Sequence, residues 1–242
     1  MRVRFNHGFE EIISVDNLLC VWKEFLRGKK NKKDVCEFSL HLMDNILELH
    51  RDLATKTYTH HAYHAFKIND PKTRDIHKAT VRDRLLHYAI YRTLYQYFDK
   101  KFIYDSYSCR NGKGTHKAMN RFRSFVRKVS KINTKTCFVL KCDIRKFFAS
   151  INHRILIEIL KKHIQDENII WLLNKIINSF SSSTIVPPQS EQYYSKSFYK
   201  ELPLGNLTSQ LFANVYLNEL DHFIKHKLKI KYYIRYADDF VV

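Results

Sequence analysis

The chain has 242 residues, 45% of them apolar, with only 5 Gly and 4 Pro. That excludes collagen-like, low-complexity and wholly disordered classes and leaves room for one large domain or two small ones. The net charge is +18 and uneven: residues 67–135 carry 18 basic and 5 acidic side chains, against 10 and 9 in 1–66 and 14 and 10 in 136–242, so the middle third suits a polyphosphate partner.

Apolar spacing near 3.6 predicts a helix over 11–27, ended by Gly28 and the run KKNKK, and a second over 34–55. The mixed stretch 56–78, with Asp70-Pro71, predicts loops or short strands. A long amphipathic helix with an aromatic face (Tyr88, Tyr91, Tyr95, Phe98) is expected over 79–102, packing inward rather than stacking on bases. Asn111-Gly112-Lys113-Gly114 breaks the chain before a basic helix over 115–131. The apolar run from Thr136 to Cys142 predicts a mostly buried strand, followed by helices at 152–164 and 167–180. A polar loop is expected over 181–200, a helix over 206–228, a strand over 230–236 and its hairpin partner from Phe240. The fold class is α/β or α+β, helical first and strand-bearing later. No apolar run reaches the ~18 residues of a membrane span and no secretory signal opens the chain, so a cytoplasmic protein is expected. The five cysteines form no CxxC pair, as expected of reduced thiols. His60, His61 and His64 lack a completing ligand and read as a polar face.

Two acidic sites stand at strand ends. Asp143 follows FVLKC, and Asp238-Asp239 follow YYIRY at a tight turn. Three carboxylates from neighbouring strands need a counter-charge, and hard oxygen donors favour Mg²⁺. Two ions about 4 Å apart would activate a 3′-hydroxyl and stabilise leaving pyrophosphate. A polar hairpin turn is the plainer explanation of Asp-Asp taken alone.

Three motifs in order change that balance: DIRKFFASI from Asp143, LPLGNLTSQ over 202–210, and YADD over 236–239. This succession resembles the signature of reverse transcriptases. Upstream, Asp83-Arg84, Ser106-Tyr107, Arg110 and His116 resemble the fingers segment of bacterial enzymes of the group II intron type, although Cys109 replaces the usual Phe. The resemblance spans about residues 56–242. It implies a right-hand polymerase fold with helical fingers and an antiparallel palm sheet: 1–55 an N-terminal helical extension, 56–135 fingers, 136–242 palm, with 152–200 adding helices and a loop. The family's primer grip and thumb come after the YADD segment, so the chain reads as fingers and an incomplete palm.

The resemblance also implies roles. Asp143 and Asp238 would hold metal, with Asp239 a weaker third and the Ile144 carbonyl a further contact. Phe148 stands where the family places the ring that collides with a ribonucleotide 2′-hydroxyl. Lys67 and Arg74, seven residues apart, would meet the triphosphate, and Leu204 and Gly205 would lie by the incoming nucleotide. Arg110, Lys113 and Lys117 are assigned to template backbone. Leu204 before the Gly, with Ser209-Gln210 after, is similar to diversity-generating retroelements, which copy a structured template RNA with errors at adenines and work with an accessory variability protein. Loss of a polar amide there fits looser base checking. The expected function is therefore an RNA-directed DNA polymerase using an RNA template, a DNA or RNA primer, dNTPs and two Mg²⁺. An intron-type maturase, a phage-defence enzyme and a non-catalytic nucleic-acid-binding relic are the alternatives.

Overall fold

The structure is a computed structural model that describes residues 5–69, 73–180 and 200–242. In chain order its elements are helices α1 (Phe9–Ile13), α2 (Val15–Phe25), α3 (Lys33–Leu40) and α4 (Leu42–Ala54), strands β1 (His64–Asn69) and β2 (Thr73–Lys78), and helices α5 (Val81–Phe98) and α6 (Thr115–Val129). Next come β3 (Lys141–Cys142), α7 (Phe147–Ser150), α8 (His153–Lys161), α9 (Glu167–Ile177), α10 (Leu207–His222), a π-helical turn (Phe223–Lys227), β4 (Ile234–Tyr236) and β5 (Asp239–Val241). The mixed α+β class expected from the sequence is what is found. None of the helices is long and apolar enough to cross a membrane among the described residues. The polar loop expected over 181–200 lies outside the described residues except at Lys200.

The chain forms two compact units, 1–97 with 148–209 and 98–147 with 210–242. The N-terminal stretch 1–55 thus belongs to the same unit as 56–97. Within it Ile12, Leu18, Val21, Ile46 and Leu49 are almost wholly excluded from water. Burial on that scale, at roughly 25 cal/mol per Å², is the main force holding short helices in place. The two long helices expected at the N-terminus are each divided. Ser14 interrupts the first, its hydroxyl accepting the Asn17 amide at 3.2 Å and so capping α2. His41, at φ −120° and ψ 39°, interrupts the second. Asp166 caps α9 by accepting the Asn168 amide at 2.8 Å, and its other oxygen accepts the Phe9 amide at 2.9 Å, tying α1 to α9. Helix α5 is buried at most positions rather than amphipathic, with Leu85, Leu86, Ala89, Leu94 and Phe98 inside.

The second unit holds a three-stranded antiparallel sheet in the order β3-β5-β4. Tyr107, Phe125 and Ile234 form one apolar cluster and Ile103, Ile224 and Tyr233 another. The buried strand expected over 136–142 is corrected: β3 is only two residues long, and Phe138 and Leu140 are 92% and 63% exposed. It is an edge strand, and an apolar run is buried only where another layer covers it.

Candidate active site

The three candidate metal carboxylates all lie in the second unit, at one end of its sheet. Lys141 pairs with Val241 and Cys142 with Phe240. The same register carried one residue on sets Asp143 across from Asp239. Tyr236 pairs with Asp239, leaving Ala237 and Asp238 as a two-residue turn. Ala237 has φ +55°, the left-handed conformation that such turns demand at their first position. Asp143 and Asp239 are exposed and Asp238 is half-buried. The Lys141 ammonium stands 3.7 Å from Asp239 Oδ1, so this sheet end already attracts a cation. The donors are hard oxygens, which suit Mg²⁺. Among the described residues, however, no three His, Cys, Asp or Glu side chains converge as a ready metal cage.

Beneath the turn lies a group that the sequence reading missed. Arg235 is fully buried, and its guanidinium uses every N–H. Nε and Nη2 donate to the two oxygens of Asp221 at 2.8 and 2.7 Å. Nη2 also donates to Ser106 Oγ at 3.1 Å, and Nη1 donates to Asn214 Oδ1 at 3.1 Å and to the Ala237 carbonyl at 2.9 Å. Asp221 is also fully buried and accepts the Tyr233 hydroxyl at 2.7 Å; burial, with the neighbouring carboxylate, pushes that phenol well above its ordinary range. No strand phase marks it in the sequence: Tyr233 and Ile234, on alternate faces, are both buried, so alternation in YYIRY does not separate an inward from an outward side.

The cations assigned to template are bound up with their own loop. Arg110 donates to Asp99 Oδ1 at 2.6 Å and to the carbonyls of Asp99, Ile103 and Ser106. Lys113 Nζ reaches the Tyr104 carbonyl at 2.8 Å, and Lys117 Nζ the Gly112 carbonyl at 2.6 Å. Burial lowers the Lys113 ammonium, helped by Arg110.

The residues assigned to the nucleotide lie in the first unit. Lys67 pairs with Asp75 and Arg74 with Ile68 across the β1–β2 hairpin. Successive side chains alternate faces, so Lys67 and Arg74 occupy opposite faces of the ribbon; both are exposed. The half-buried Phe148 accepts the Leu202 amide on its carbonyl at 2.9 Å, which joins α7 to the LPLG segment. Leu204 accepts the His77 amide at 2.9 Å and Asn206 Nδ2 donates to the His77 carbonyl at 2.9 Å, so that segment clasps β2. Gly205 has φ +104°, and a Cβ there would stand 2.7 Å from Ile76 Cγ2.

Of the polar histidine face expected at His60, His61 and His64, only His60 departs; His61 and His64 are exposed. The His60 side chain is buried, with Nε2 3.2 Å from Nε2 of buried His87. Fully buried Asp83 accepts the hydroxyls of Tyr58 at 2.7 Å and Thr80 at 2.6 Å, and His61 Nδ1 lies 3.3 Å away. Burial acts to raise the Asp83 carboxyl, yet His60 and these hydroxyls hold it below the ordinary range. Burial, with the His60 ring, pushes His87 down to about 3. All five cysteines are free.

Known proteins agree with this architecture. The chain is 28% identical over 150 residues to "Uncharacterized 91 kDa protein in cob intron" of Schizosaccharomyces pombe, covering 60% of this chain and 16% of that protein. It is 22% identical over 156 residues to "Protein YkfC" of Escherichia coli, covering 64% and 38%. It is 26% identical over 166 residues to "Group II intron-encoded protein LtrA" of Lactococcus lactis, covering 69% and 25%. The chain thus spans well under half the length of these relatives. A chain of the "Partial Cas6-RT-Cas1--Cas2 complex" has a like fold, with TM-score 0.58 and 20% identity over 96% of this chain and 37% of that one. The profile of the family described as "Reverse transcriptase (RNA-dependent DNA polymerase)" matches residues 60–242, three quarters of the sequence, and the chain belongs to that family.

Proposed function

We propose that this chain carries the polymerase centre of an RNA-directed DNA polymerase, extending a DNA or RNA primer with dNTPs on an RNA template. The observation that carries the reading is the register of the β3-β5-β4 sheet, which sets Asp143 across from Asp239, next to the turn that holds Asp238. Asp143 and Asp238, with Asp239 and the Ile144 carbonyl, would hold two Mg²⁺. When bound, Mg²⁺ supplies positive charge for the attacking 3′-oxygen and the departing pyrophosphate. Lys67 and Arg74 offer cations to a triphosphate, and the Phe148 ring would exclude a ribose 2′-hydroxyl. Arg110 braces the loop that carries Lys113 and leads into α6, where Lys117 stands, and both lysines would meet template phosphates.

Within this family, LPLGNLTSQ favours the error-prone enzymes of diversity-generating retroelements, with their structured template RNA and accessory variability protein as partners. Leu204 would place an aliphatic group where an amide could monitor the nascent pair. Primer extension on an RNA template with Mg²⁺ and dNTPs, run beside Asp238→Ala, tests the reading. Extension is expected from the parent and a loss of about a thousandfold or more from the variant, since charge stabilisation at the reacting atoms is a dominant catalytic effect. Excess errors at template adenines would support the subfamily. Salt-sensitive RNA binding by both proteins without extension would favour the binding relic instead.

A further inference from the structure

The Arg235 cage ends on a backbone atom of the turn that carries Asp238. Four acceptors, Asp221, Ser106, Asn214 and the Ala237 carbonyl, satisfy five N–H groups. Asp221 and Asn214 stand on α10, and Ser106 on the loop before α6. That loop is stitched to β4 in turn: Arg235 N donates to the Asp105 carbonyl and Tyr107 N to the Arg235 carbonyl, both at 3.0 Å. Asn214 is oriented by donating to the Ser108 carbonyl at 3.0 Å. The cage therefore fixes the guanidinium from several elements, and the guanidinium holds the carbonyl of a non-glycine residue in left-handed conformation. Such a backbone conformation persists only where its surroundings over-determine it.

We propose that Arg235 is a positioning residue for the candidate active centre: through Ala237 it fixes the turn that aims Asp238, and Asp221 fixes Arg235. The catalytic part of this rests on the polymerase reading above. Only a planar fork can bridge a carboxylate and a carbonyl in this way. Lysine can neutralise Asp221, but its three N–H groups on one nitrogen cannot also span to Ala237.

The test compares Arg235→Lys with Ile224→Ala, a core truncation in the same unit, at temperatures chosen for equal folded fractions. Amide hydrogen exchange of residues 236–239 reads the turn without any substrate. It should quicken by about tenfold or more in Arg235→Lys and stay at the parent's rate in Ile224→Ala, as expected when one hydrogen-bonded anchor of a local structure is lost. Direct Mn²⁺ titration reads the carboxylates: half-saturation should rise about 10–100-fold in Arg235→Lys, the usual effect of losing a partner that orients a ligand. In primer extension kcat should fall while the dNTP KM stays within about twofold. Equal exchange and equal Mn²⁺ affinity in the two variants would overturn the proposal. A parent that neither binds Mn²⁺ nor extends a primer would remove the polymerase reading and the metal-orienting role with it. Hydrogen exchange would then still decide whether Arg235 holds the turn.

Discussion

Each unit sinks a carboxylate completely out of water, and the two are satisfied by different chemistry. In the first unit Asp83 is met mainly by hydroxyls, a backbone amide and imidazoles (Tyr58, Thr80, His61 and the buried His60 nearby), with the Arg82 guanidinium a more distant 3.7 Å away. In the second, Asp221 is met by a guanidinium fork and a phenol. The first network joins α5 to the segment preceding β1 and ends within the unit's packing. The second ends on the turn beside the candidate catalytic pair. A polar network built on imidazoles is a titrating one, whereas the cage around Arg235 contains no imidazole.

The largest difference should appear on removing each carboxylate. Asp221→Ala strands a buried guanidinium, and an uncompensated buried charge costs about 3–5 kcal/mol. Asp83→Ala strands hydroxyls and an amide and removes a 3.7 Å ion pair to Arg82, but Arg82 keeps its closer partner Asp52, so about 1–3 kcal/mol is expected. Urea unfolding of the two variants checks the order. Equal losses would show that the networks do not differ in kind.

Acid should separate the units next. His87 has its folded pKa lowered to about 3 by burial, and burial also lowers His60. The unfolded chain therefore binds more protons than the folded one below the ordinary imidazole value, near 6.5. Stability is fully present above that value and is lost as pH falls toward 3. One such proton gives a slope of roughly 1.4 kcal/mol per pH unit, or about 2 kcal/mol between pH 6.5 and 5. Asp83, held below its ordinary range, adds loss in the same direction at still lower pH. Amide protection in α4 and α5 should fall across this range while that of β4 and β5 holds. His87→Leu should flatten the slope by about one proton's worth, and an unchanged slope would sink the assignment.

The same contrast explains what was legible in advance. The apolar runs FVLKC and YYIRY told where β3 and β4 stop, because hydrophobic patterning breaks at a strand end, and Asp143 and the Asp238-Asp239 pair do follow those ends. Arg235 escaped because an arginine in a short apolar strand reads as an edge residue until its partners are known, and Asp221 and Asn214 lie on a helix a dozen or more residues away. Lys67 and Arg74 were expected to meet one triphosphate, but the faces they occupy depend on hairpin register. Asn69 pairs with Thr73, so residues whose numbers sum to 142 face each other, and these two miss by one. A one-residue difference of register reverses a side chain's face. The exposed Phe138 and Leu140 failed for a related reason: composition reports that a strand is apolar, and only topology reports that it lies at an edge.

The finest comparison is between two left-handed residues of opposite identity. Gly205 in the first unit sits at φ +104° against Ile76, and Ala237 in the second at φ +55° against Arg235. Gly205→Ala adds a methyl group where β2 already stands and demands a conformation that alanine resists. It should cost about 1–3 kcal/mol and loosen the clasp on His77. Ala237→Gly removes a strain that the Arg235 bond now opposes, and should gain at most about 1 kcal/mol. The gain is bounded because glycine also frees the unfolded chain. Thermal unfolding reads both signs. If Ala237→Gly stabilises the unit yet weakens Mn²⁺ binding, the alanine is retained for the stiffness of the turn rather than for its fold. If it destabilises the unit, the turn is not strained, and Arg235 is holding a conformation that the chain would adopt without it.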